Sequence, residues 1–254
     1  MQVDKVKILK VRENGESLEE DYVAVEEPLE IKICEEECRT FAVIMRTPGQ
    51  DEELSLGFLF SEGVIDNSKD VREITAGDGE VRVYLTRRAE IEPRHIVVNS
   101  SCGVCGRRLL YTLEILKSEV KVEKRAILSF PRKLREYQSA FNVTGGLHAA
   151  ALLDTSGDLV AISEDVGRHN AVDKVVGSLL REDRLPASQY VLQVSGRVGY
   201  EIVSKAVMAG IPIVSGISAP TSYAVEIAKK SGVTLIGFLR DGYFNVYAHG
   251  ERLI

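Results

Sequence analysis

The stretch that decides the fold is residues 190–216, YVLQVSGRVGYEIVSKAVMAGIPIVSG. It begins and ends with short apolar runs that predict strands, and the segment between them has the apolar spacing of a helix. The pattern continues downstream, so strands are predicted at 190–194, 211–214 and 233–239, and helices at 200–209 and 222–230. Helices that alternate with strands pack against the faces of a mixed or parallel sheet. The second half of the chain is therefore predicted to be α/β.

The first half has a different pattern, with short strands interrupted by one helix. β-favouring runs stand at 6–11, 22–25, 29–33, 41–45, 71–74 and 81–85. Asp51 to Gly63 predicts the helix, since acidic residues favour its first turn and glycine its end. Ser129-Phe130-Pro131 is predicted to open another helix that runs to about Phe141. We therefore predict a smaller β-rich N-terminal region at 1–120 and a mixed α/β (α+β) domain at 121–254.

Composition limits the classes of function. The chain has 254 residues, with 32 Lys plus Arg against 38 Asp plus Glu, a net charge of -6. An acidic balance argues against a nucleic-acid surface, because phosphates are neutralised by clustered Lys and Arg. No apolar run is long enough to span a membrane, and the N-terminus has no signal-peptide pattern. We expect a cytoplasmic protein whose partners are small molecules and other proteins, not nucleic acid or membrane.

Four cysteines form two pairs, Cys34 with Cys38 and Cys102 with Cys105. They are too few for a disulfide framework, and cytosolic thiols are expected to stay reduced. Cys102 and Cys105 are each followed by glycine, so both sulfurs can reach one another or an incoming sulfur. The predicted helix start after them, with its Arg107-Arg108 pair, favours the thiolate form of a nearby cysteine.

Three interpretations of the Cys102 loop stay open from these residues alone. One is half of a four-cysteine zinc site completed by Cys34 and Cys38. If residues 34–38 continue the preceding strand, four residue steps place the Cα atoms of Cys34 and Cys38 about 13 Å apart. That distance is too long for both to bind one zinc ion, unless the chain turns at 35–37. The second is a dithiol redox centre, which normally accompanies a βαβ pattern. The third is a nucleophilic cysteine that carries sulfur as a persulfide.

The densest polar stretch is 163–174, SEDVGRHNAVDK, where a strand gives way to a helix. Gly167 allows close backbone approach, the helix N-terminus attracts anions, and Arg168 adds a guanidinium, so a phosphate pocket is one interpretation. The other is a capped helix start, with Asp165, His169 and Asp173 as helix-spaced pairs and Arg168 in solvent. In the predicted helix that follows, the valines and leucines would share one face, and Asp173 and Lys174 would lie off that face.

Other predicted strand ends carry similar residues. Ser195-Gly196-Arg197 and residues 218–221 follow strands, and 144–148 is a further candidate that ends in His148. Residues 238–243 follow the last alternating strand, where an aromatic ring and the Arg240 guanidinium could sandwich a base; an ordinary turn at Asp241-Gly242 is the alternative. Because ligands of open α/β sheets bind outside the carboxyl ends of the strands, we predict a cleft along this edge.

Taken together, Ser101-Cys102-Gly103-Val104-Cys105-Gly106 and the polar stretch 164–174 resemble the signatures of the FdhD family. The resemblance extends to 46–49, 144–146, 195–197 and 218–221. It implies a cytidine deaminase-like fold in the larger domain and a homodimer. It also implies a sulfur carrier that takes sulfur from a cysteine desulfurase. The sulfur is delivered to the molybdenum cofactor, in its bis(molybdopterin guanine dinucleotide) form, before that cofactor enters formate dehydrogenase.

The resemblance also assigns residues. The persulfide-bearing cysteine corresponds to Cys102, with Cys105 as its partner, and we regard these two as the catalytic residues. The cofactor-binding stretch corresponds to Phe238, Leu239, Arg240, Asp241, Gly242 and Tyr243. To these we add Arg168, His169 and Arg197 from the predicted cleft. Cys34 and Cys38 match no motif of the family and are treated as incidental.

Two alternatives are weighed against this hypothesis. Deamination is disfavoured, because a zinc deaminase needs His-x-Glu before Pro-Cys-x-x-Cys. Here Ser101 precedes the cysteine pair, and the one His-x-Glu, at His249, comes after it. A zinc-stapled chaperone that binds the cofactor without sulfur chemistry is the remaining alternative. Under the sulfur-carrier hypothesis no permanent metal is expected.

Overall fold

The computed structural model describes residues 2–87, 97–98, 115–116 and 118–254. The N-terminal region contains β1 (Val3–Arg12), β2 (Gly15–Ala24), β3 (Glu27–Cys34), β4 (Cys38–Arg46), α1 (Asp51–Ser61), β5 (Val71–Gly77), β6 (Glu80–Leu85) and β7 (Val97–Val98). The remainder contains α2 (Lys124–Tyr137), α3 (Ser139–Thr144), β8 (His148–Leu153), β9 (Leu159–Asp165), α4 (Arg168–Arg181), β10 (Val191–Val194), α5 (Tyr200–Met208), β11 (Ile213–Gly216), α6 (Ser222–Ser231), β12 (Thr234–Arg240) and β13 (Tyr243–Ala248). Short 3-10 helices lie at Ser68–Asp70 and Gly250–Arg252.

The strands form three sheets. β1 and β2 pair with each other, a five-stranded sheet has the order β5-β6-β3-β4-β7, and a six-stranded sheet has the order β13-β12-β11-β10-β8-β9. In the larger sheet β10, β11 and β12 are parallel, while β8, β9 and β13 join their neighbours in antiparallel fashion. The predicted fold class is confirmed: a mixed sheet with helices forms the C-terminal part, preceded by a smaller β-rich region.

Two apolar cores hold these layers together. The main core lies between the two larger sheets, with α1 packed against α4 in its middle. The second core lies on the outer face of the six-stranded sheet, where Phe130 and Leu134 of α2 cover it. Because successive strand residues point to opposite faces, β10 supplies Val191 to the outer core and Leu192 to the main core. In the part of the chain that the structure describes, no helix is long and apolar enough to cross a membrane.

The helix predicted from Ser129 to Phe141 was misplaced. α2 already begins at Lys124 and contains Pro131 in its interior, and after it ends at Tyr137 a separate helix, α3, follows. Proline is common in a first helical turn, which is why the sequence pattern favoured a start at Ser129. The amphipathic arrangement of α2 against the outer core outweighs that local signal.

α1 and α4 approach so closely because each carries a glycine at the crossing. A Cβ atom on Gly57 would lie 1.9 Å from the carbonyl oxygen of Asp173, and one on Gly177 would lie 1.8 Å from that of Glu53. Both obstacles are backbone atoms, so a side chain at either position must push the helices apart. The close contact also brings Ser61 at the end of α1 to the Asp173 carboxylate, where its hydroxyl donates a 2.8 Å hydrogen bond.

Gly177→Ala is therefore expected to destabilise the protein, although alanine is the better helix former. Overpacking of a core costs about 1–3 kcal/mol and occasionally more, and that loss outweighs the roughly 1 kcal/mol of helix propensity gained. Urea denaturation measures the difference. Ser178→Ala, at the next position of the same helix, is the matched control. It should change the free energy of unfolding by well under half of the loss expected for Gly177→Ala. Equal unfolding midpoints for the two variants would contradict the close-contact interpretation.

The expectation that the thiols of Cys34 and Cys38 stay reduced was wrong. The chain turns at residues 35–37, so the two residues face each other across β3 and β4 with Cα atoms 4.0 Å apart, and their sulfurs form a disulfide. The large separation derived for a continuing strand does not apply, because the strand ends at Cys34. In the disulfide form these sulfurs supply no thiolate ligands, so they cannot complete a zinc site with the Cys102 loop.

Candidate functional site

The polar segments singled out in the sequence meet at one edge of the six-stranded sheet. The parallel strands β10 and β11 end there and are followed by Ser195 and Ile217, and β12 ends there within the 238–243 segment. His148, the first residue of the antiparallel β8, pairs with Asp165 at the end of β9 at the same edge. Hydrogen bonds join the loops: Phe238 N donates to Ser218 O at 3.1 Å. We call this edge the rim.

Asp165 is the hub that fixes the rim to the N-terminal region. It is fully buried and forms an ion pair with Lys174 at 2.8 Å, whose side chain is also fully buried. The same carboxylate accepts hydrogen bonds from the Thr47 N-H at 3.1 Å and from Asn170 Nδ2 at 2.8 Å. Lys174 Nζ in turn donates to Thr47 O at 2.9 Å. The Asp165 carboxylate is therefore a structural anchor that holds the end of β4 beside the start of α4.

A second buried ion pair involves Asp173, the residue before Lys174 in α4. Lys205 of α5 donates to Asp173, and both side chains are at most 2% exposed. Burial raises the pKa of Asp173, and the Lys205 cation and the Ser61 hydroxyl act in the opposite direction. The assignment of Asp173 and Lys174 to a polar face of α4 was wrong, because α4 is enclosed by the sheet on one side and α1 on the other. Each charge is paired instead with a residue remote in sequence.

His169 differs from its neighbours because it is buried without a partner. Its side chain is 3% exposed, and within the described residues neither ring nitrogen has a hydrogen-bond partner. Burial lowers its pKa to about 3, and the nearby cations Lys205 and Arg168 contribute to the shift. The imidazole is therefore neutral near pH 7 and has one donor and one acceptor available. Helix-spaced pairing of His169 with Asp165 and Asp173 is not observed.

Arg168 and His148 lie close together at the rim, beside Gly196. A Cβ on Gly196 would stand 3.2 Å from His148 Nδ1 and 3.9 Å from Arg168 Cδ, so glycine makes room for both side chains. Burial lowers the pKa of His148, and the Arg168 charge lowers it further. Arg168 is half-buried, not in solvent as the capped-helix interpretation requires, and Arg197 is exposed in the next loop.

A cavity of about 550 Å³ opens beside these residues. Its walls include Arg135 and Phe141 from α2 and α3, His148, and Ser195 and Ile217 after β10 and β11. The Arg135 guanidinium lies 4.5 Å above the centre of the Phe141 ring. This volume is in the range of small-molecule sites. Arg135 and Phe141 were not predicted as site residues, because their stretch of sequence has only the pattern of an ordinary helix.

Residues 238–243 form the β12–β13 hairpin, which projects from the rim. Phe238 has φ 51°, a left-handed conformation that a bulky residue rarely adopts. Such backbone outliers concentrate at functional sites. Phe238 and Tyr243 are 37% and 57% exposed. Asp241 and Gly242 occupy the two-residue turn between the paired Arg240 and Tyr243.

Two members of this hairpin have roles in its own structure. The Leu239 side chain is fully buried in the outer core, so only its backbone can meet a ligand. Arg240 Nη1 donates to the carbonyl oxygens of Ile217 and Leu239, which ties the hairpin to the edge of the cavity. The other guanidinium nitrogens of this exposed residue, Nε and Nη2, take no part in those two bonds.

Cys102 and Cys105 lie outside the described residues. The nearest described strand before them is β7, which pairs in parallel with β4 through Val98 and Ile44. Ile44 is followed closely by Arg46 and Thr47, and Thr47 contacts Asp165 at the rim. The chain therefore leaves β7 next to the anchored end of β4.

Comparison with known proteins connects this architecture to a family. The model of the FdhD/NarQ family matches residues 24–254. A protein of Sulfurisphaera tokodaii named "Sulfur carrier protein FdhD" is 59% identical over 100% of both chains. Its namesake in Saccharolobus solfataricus is 58% identical over 100% of this chain and 99% of the relative. A crystal structure described as a formate dehydrogenase accessory protein, from Desulfotalea psychrophila, superposes with a TM-score of 0.84 at 28% identity over all of both chains. The chain belongs to the FdhD/NarQ family.

Proposed function

We propose that this protein is a sulfurtransferase of the cytoplasm that serves formate dehydrogenase. It accepts sulfur from a cysteine desulfurase as a persulfide on Cys102. It then delivers the terminal sulfur to the molybdenum cofactor in its bis(guanine dinucleotide) form, which is its substrate and not a resident group. The names of its relatives, a sulfur carrier and a formate dehydrogenase accessory protein, support this proposal. As the resemblance implies, the active form is a homodimer.

The observation that carries the proposal is the convergence of cations and a cavity at the rim. A dinucleotide cofactor bears diphosphate groups, and a chain with net charge -6 must meet them with locally placed cations. Arg168 begins α4, Arg197 follows β10 and Arg240 ends β12, all at the same edge. The start of α4 adds the positive end of a helix dipole. The arrangement suits a polyanion and also provides a cavity of small-molecule size beside it.

Neutral groups give the site a means of orienting its substrate. His169, next to Arg168 at the start of α4, has a hydrogen-bond donor and an acceptor that no described residue engages. The exposed rings of Phe238 and Tyr243 provide flat apolar surfaces of the kind on which bases stack. We propose that this hairpin holds a guanine base while the rim arginines hold the diphosphates.

The sulfur step is a transfer between two thiols. The Cys102 thiolate attacks the terminal sulfur of the desulfurase persulfide, an S–S bond forms on Cys102, and the desulfurase cysteine leaves as a thiolate. Four residue steps separate Val98 from Cys102, a reach of at most about 14 Å. Val98 pairs with Ile44 near the end of β4, which the Asp165 anchor fixes to the rim. Cys105, three residues further along the chain, can exchange with that persulfide.

The zinc-stapled chaperone lacks a supporting observation. It requires four thiolates, and Cys34 and Cys38 are bonded to each other. The disulfide also lies at the opposite end of β4 from Arg46.

The proposal is tested by loading and discharging the full-length protein. After incubation with a cysteine desulfurase and L-cysteine, intact-mass spectrometry should show one added sulfur per chain, and adding the guanine-dinucleotide cofactor should remove it. Arg240→Ala should load normally but discharge at least about tenfold more slowly, since a hydrogen bond to a charged group contributes about 1.5–3 kcal/mol. Lys230→Ala, an exposed lysine on α6, is the control and should match the wild type. Failure of the wild-type protein to gain sulfur, or to release it to the cofactor, would refute the proposal.

A further inference from the structure

Glu164 is a nearly buried carboxylate to which no lysine or arginine of the described residues is paired. Its side chain is 6% exposed. The neighbouring Asp165 and the helical Asp173, by contrast, each form an ion pair with a buried lysine. Burying a charge is costly unless other groups stabilise it. The charge of Glu164 must therefore be stabilised by hydrogen bonds, and these show what the residue does.

The Glu164 carboxylate stabilises the start of α3. Its two oxygens accept hydrogen bonds from the backbone N–H groups of Ala140 and Phe141, at 3.0 and 2.8 Å. Both N–H groups belong to the first turn of the helix, where they have no carbonyl partner within the helix itself. Gln138, the residue that precedes α3, forms no side-chain cap. A residue of β9 thus supplies the cap that the local sequence lacks.

α3 depends on this cap because the helix is short. It has six residues, of which only Ala140 is buried, and a helix of that length is not stable by itself. Glu164 is directly opposite Ala149 of the outer core, so its side chain lies on the face of the sheet that α2 covers. The next residue, Asp165, points to the other face. Asp165 therefore holds the N-terminal region, and Glu164 holds α3.

The capped turn carries one half of a stacked pair in the cavity wall. The Arg135 guanidinium of α2 lies 4.5 Å above the centre of the Phe141 ring, and both residues line the cavity. Within the described part of the chain, Arg135 forms no ion pair, so no carboxylate neutralises its charge. A guanidinium stacks on flat conjugated rings and has N–H donors around its edge. We call this pair the platform.

We propose that Glu164 is a positioning residue of the substrate site, which holds the platform in place for the pterin ring of the cofactor. This role rests on the proposed function. A molybdopterin guanine dinucleotide has a flat ring system at each end, with the diphosphate between them. When the rim arginines hold the diphosphate and the β12–β13 hairpin holds the guanine, the pterin needs a separate site. The cavity adjoins the hairpin at Ile217, whose carbonyl oxygen accepts a hydrogen bond from Arg240.

The other walls of the cavity suit a ring better than a phosphate. Leu134 and Ile217 provide apolar surface, and Arg135 is the only cation among the described residues that line the cavity. His148 and Ser195 add polar groups, with Ser195 Oγ 3.5 Å from His148 Nδ1. Burial lowers the pKa of His148, so its ring is neutral near pH 7. Neutral donors and acceptors match the edge of a pterin, which alternates N–H groups with nitrogen and oxygen acceptors.

Equilibrium binding of the cofactor to the full-length protein, with no sulfur loaded, tests this role. Anaerobic calorimetry should give a dissociation constant about tenfold higher for Phe141→Ala than for the wild type, as expected when one stacking surface is removed. Glu164→Ala should weaken binding to a similar extent. The double variant should bind no more weakly than Phe141→Ala alone, because Glu164 acts through that ring. GDP has no pterin and should bind both single variants as tightly as it binds the wild type.

Asn67→Ala is the matched control. The Asn67 side chain also caps a helical turn, since it accepts a hydrogen bond from Lys69 N at 3.0 Å. That turn lies at the opposite end of α4 from the rim, where Ser68 Oγ donates to Asp183 at 3.0 Å. This variant should bind the cofactor and GDP as the wild type does. Urea midpoints establish that each variant is folded, and Glu164→Gln, which keeps one acceptor oxygen, should give an intermediate affinity with a smaller loss of stability.

The outcomes separate the positioning role from the proposed function. Unchanged cofactor affinity in Phe141→Ala would overturn the platform, and additive losses in the double variant would overturn the action of Glu164 through Phe141. Weaker GDP binding by both single variants would place the guanine in the cavity and overturn the pterin assignment. A wild-type protein that binds the cofactor but gains no sulfur would refute the sulfur carrier alone. Failure of the wild type to bind the cofactor at all would refute both.

Discussion

Replacing Cys102 by alanine is expected to abolish sulfur loading, while the same change at Cys105 should leave the added sulfur in place. Alanine has no nucleophile, so no S–S bond can form, and a total loss follows instead of a graded one. In the proposed mechanism Cys105 acts only after the Cys102 persulfide has formed. Intact-mass spectrometry after incubation with a desulfurase and L-cysteine measures both variants directly.

A matched control uses the other two cysteines. Cys34→Ser with Cys38→Ser removes the disulfide at the far end of β4 but touches neither the rim nor β7. This variant should load one sulfur, as the wild type does. Undiminished labelling of Cys102→Ala would assign the carrier role to another cysteine. Loss of labelling in the double serine variant would assign that role to Cys34 or Cys38.

The alternating half of the fold could be predicted because its signal is local. Strands such as Val191–Val194 are short apolar runs, and each following helix has its own start residues, so both elements are visible within ten residues. The position of the rim followed from topology, since parallel strands bring their carboxyl ends to one edge. The residues 195–197 and 238–243 could therefore be placed together without any knowledge of contacts.

The buried ion pairs could not be predicted in the same way. Lys174 and Lys205 belong to helices whose spacing alone suggests that a charged residue faces solvent. Their partners are set by tertiary packing: Lys174 pairs with Asp165, and Lys205 pairs with Asp173. α1, from the other half of the chain, crosses α4 beside Asp173 through Gly57 and Gly177. A glycine in the middle of a helix was the available signal, because it costs stability unless another element passes closely.

The disulfide and the separate β1–β2 sheet were missed for a related reason. Whether Cys34 and Cys38 continue a strand or flank a turn depends on three glutamates, Glu35 to Glu37, which have no strong turn preference of their own. The pairing of β1 with β2 sets which residues of that sheet share a face, and pairing register is a property of two strands together. Single-strand patterns contain neither piece of information.

Replacing Lys205 by methionine should produce the largest loss of stability among substitutions outside the cysteine loop. Methionine keeps most of the side-chain volume and removes the charge, which leaves the Asp173 carboxylate buried without its cation. Removing one partner of a buried ion pair costs about 3–5 kcal/mol. Urea denaturation of the full-length protein measures the loss. Lys230→Ala breaks an exposed pair with Glu226 and should cost at most about 0.5 kcal/mol.

The pH dependence of that loss identifies its cause. Burial already raises the pKa of Asp173, and removing Lys205 takes away the main group that opposes the rise. A carboxyl whose pKa is higher in the folded than in the unfolded state gains stability as pH falls and loses it as pH increases. The deficit of Lys205→Met relative to the wild type should therefore shrink in acid and grow toward neutral pH. A deficit independent of pH would mean that lost packing, not the unpaired carboxylate, destabilises the variant.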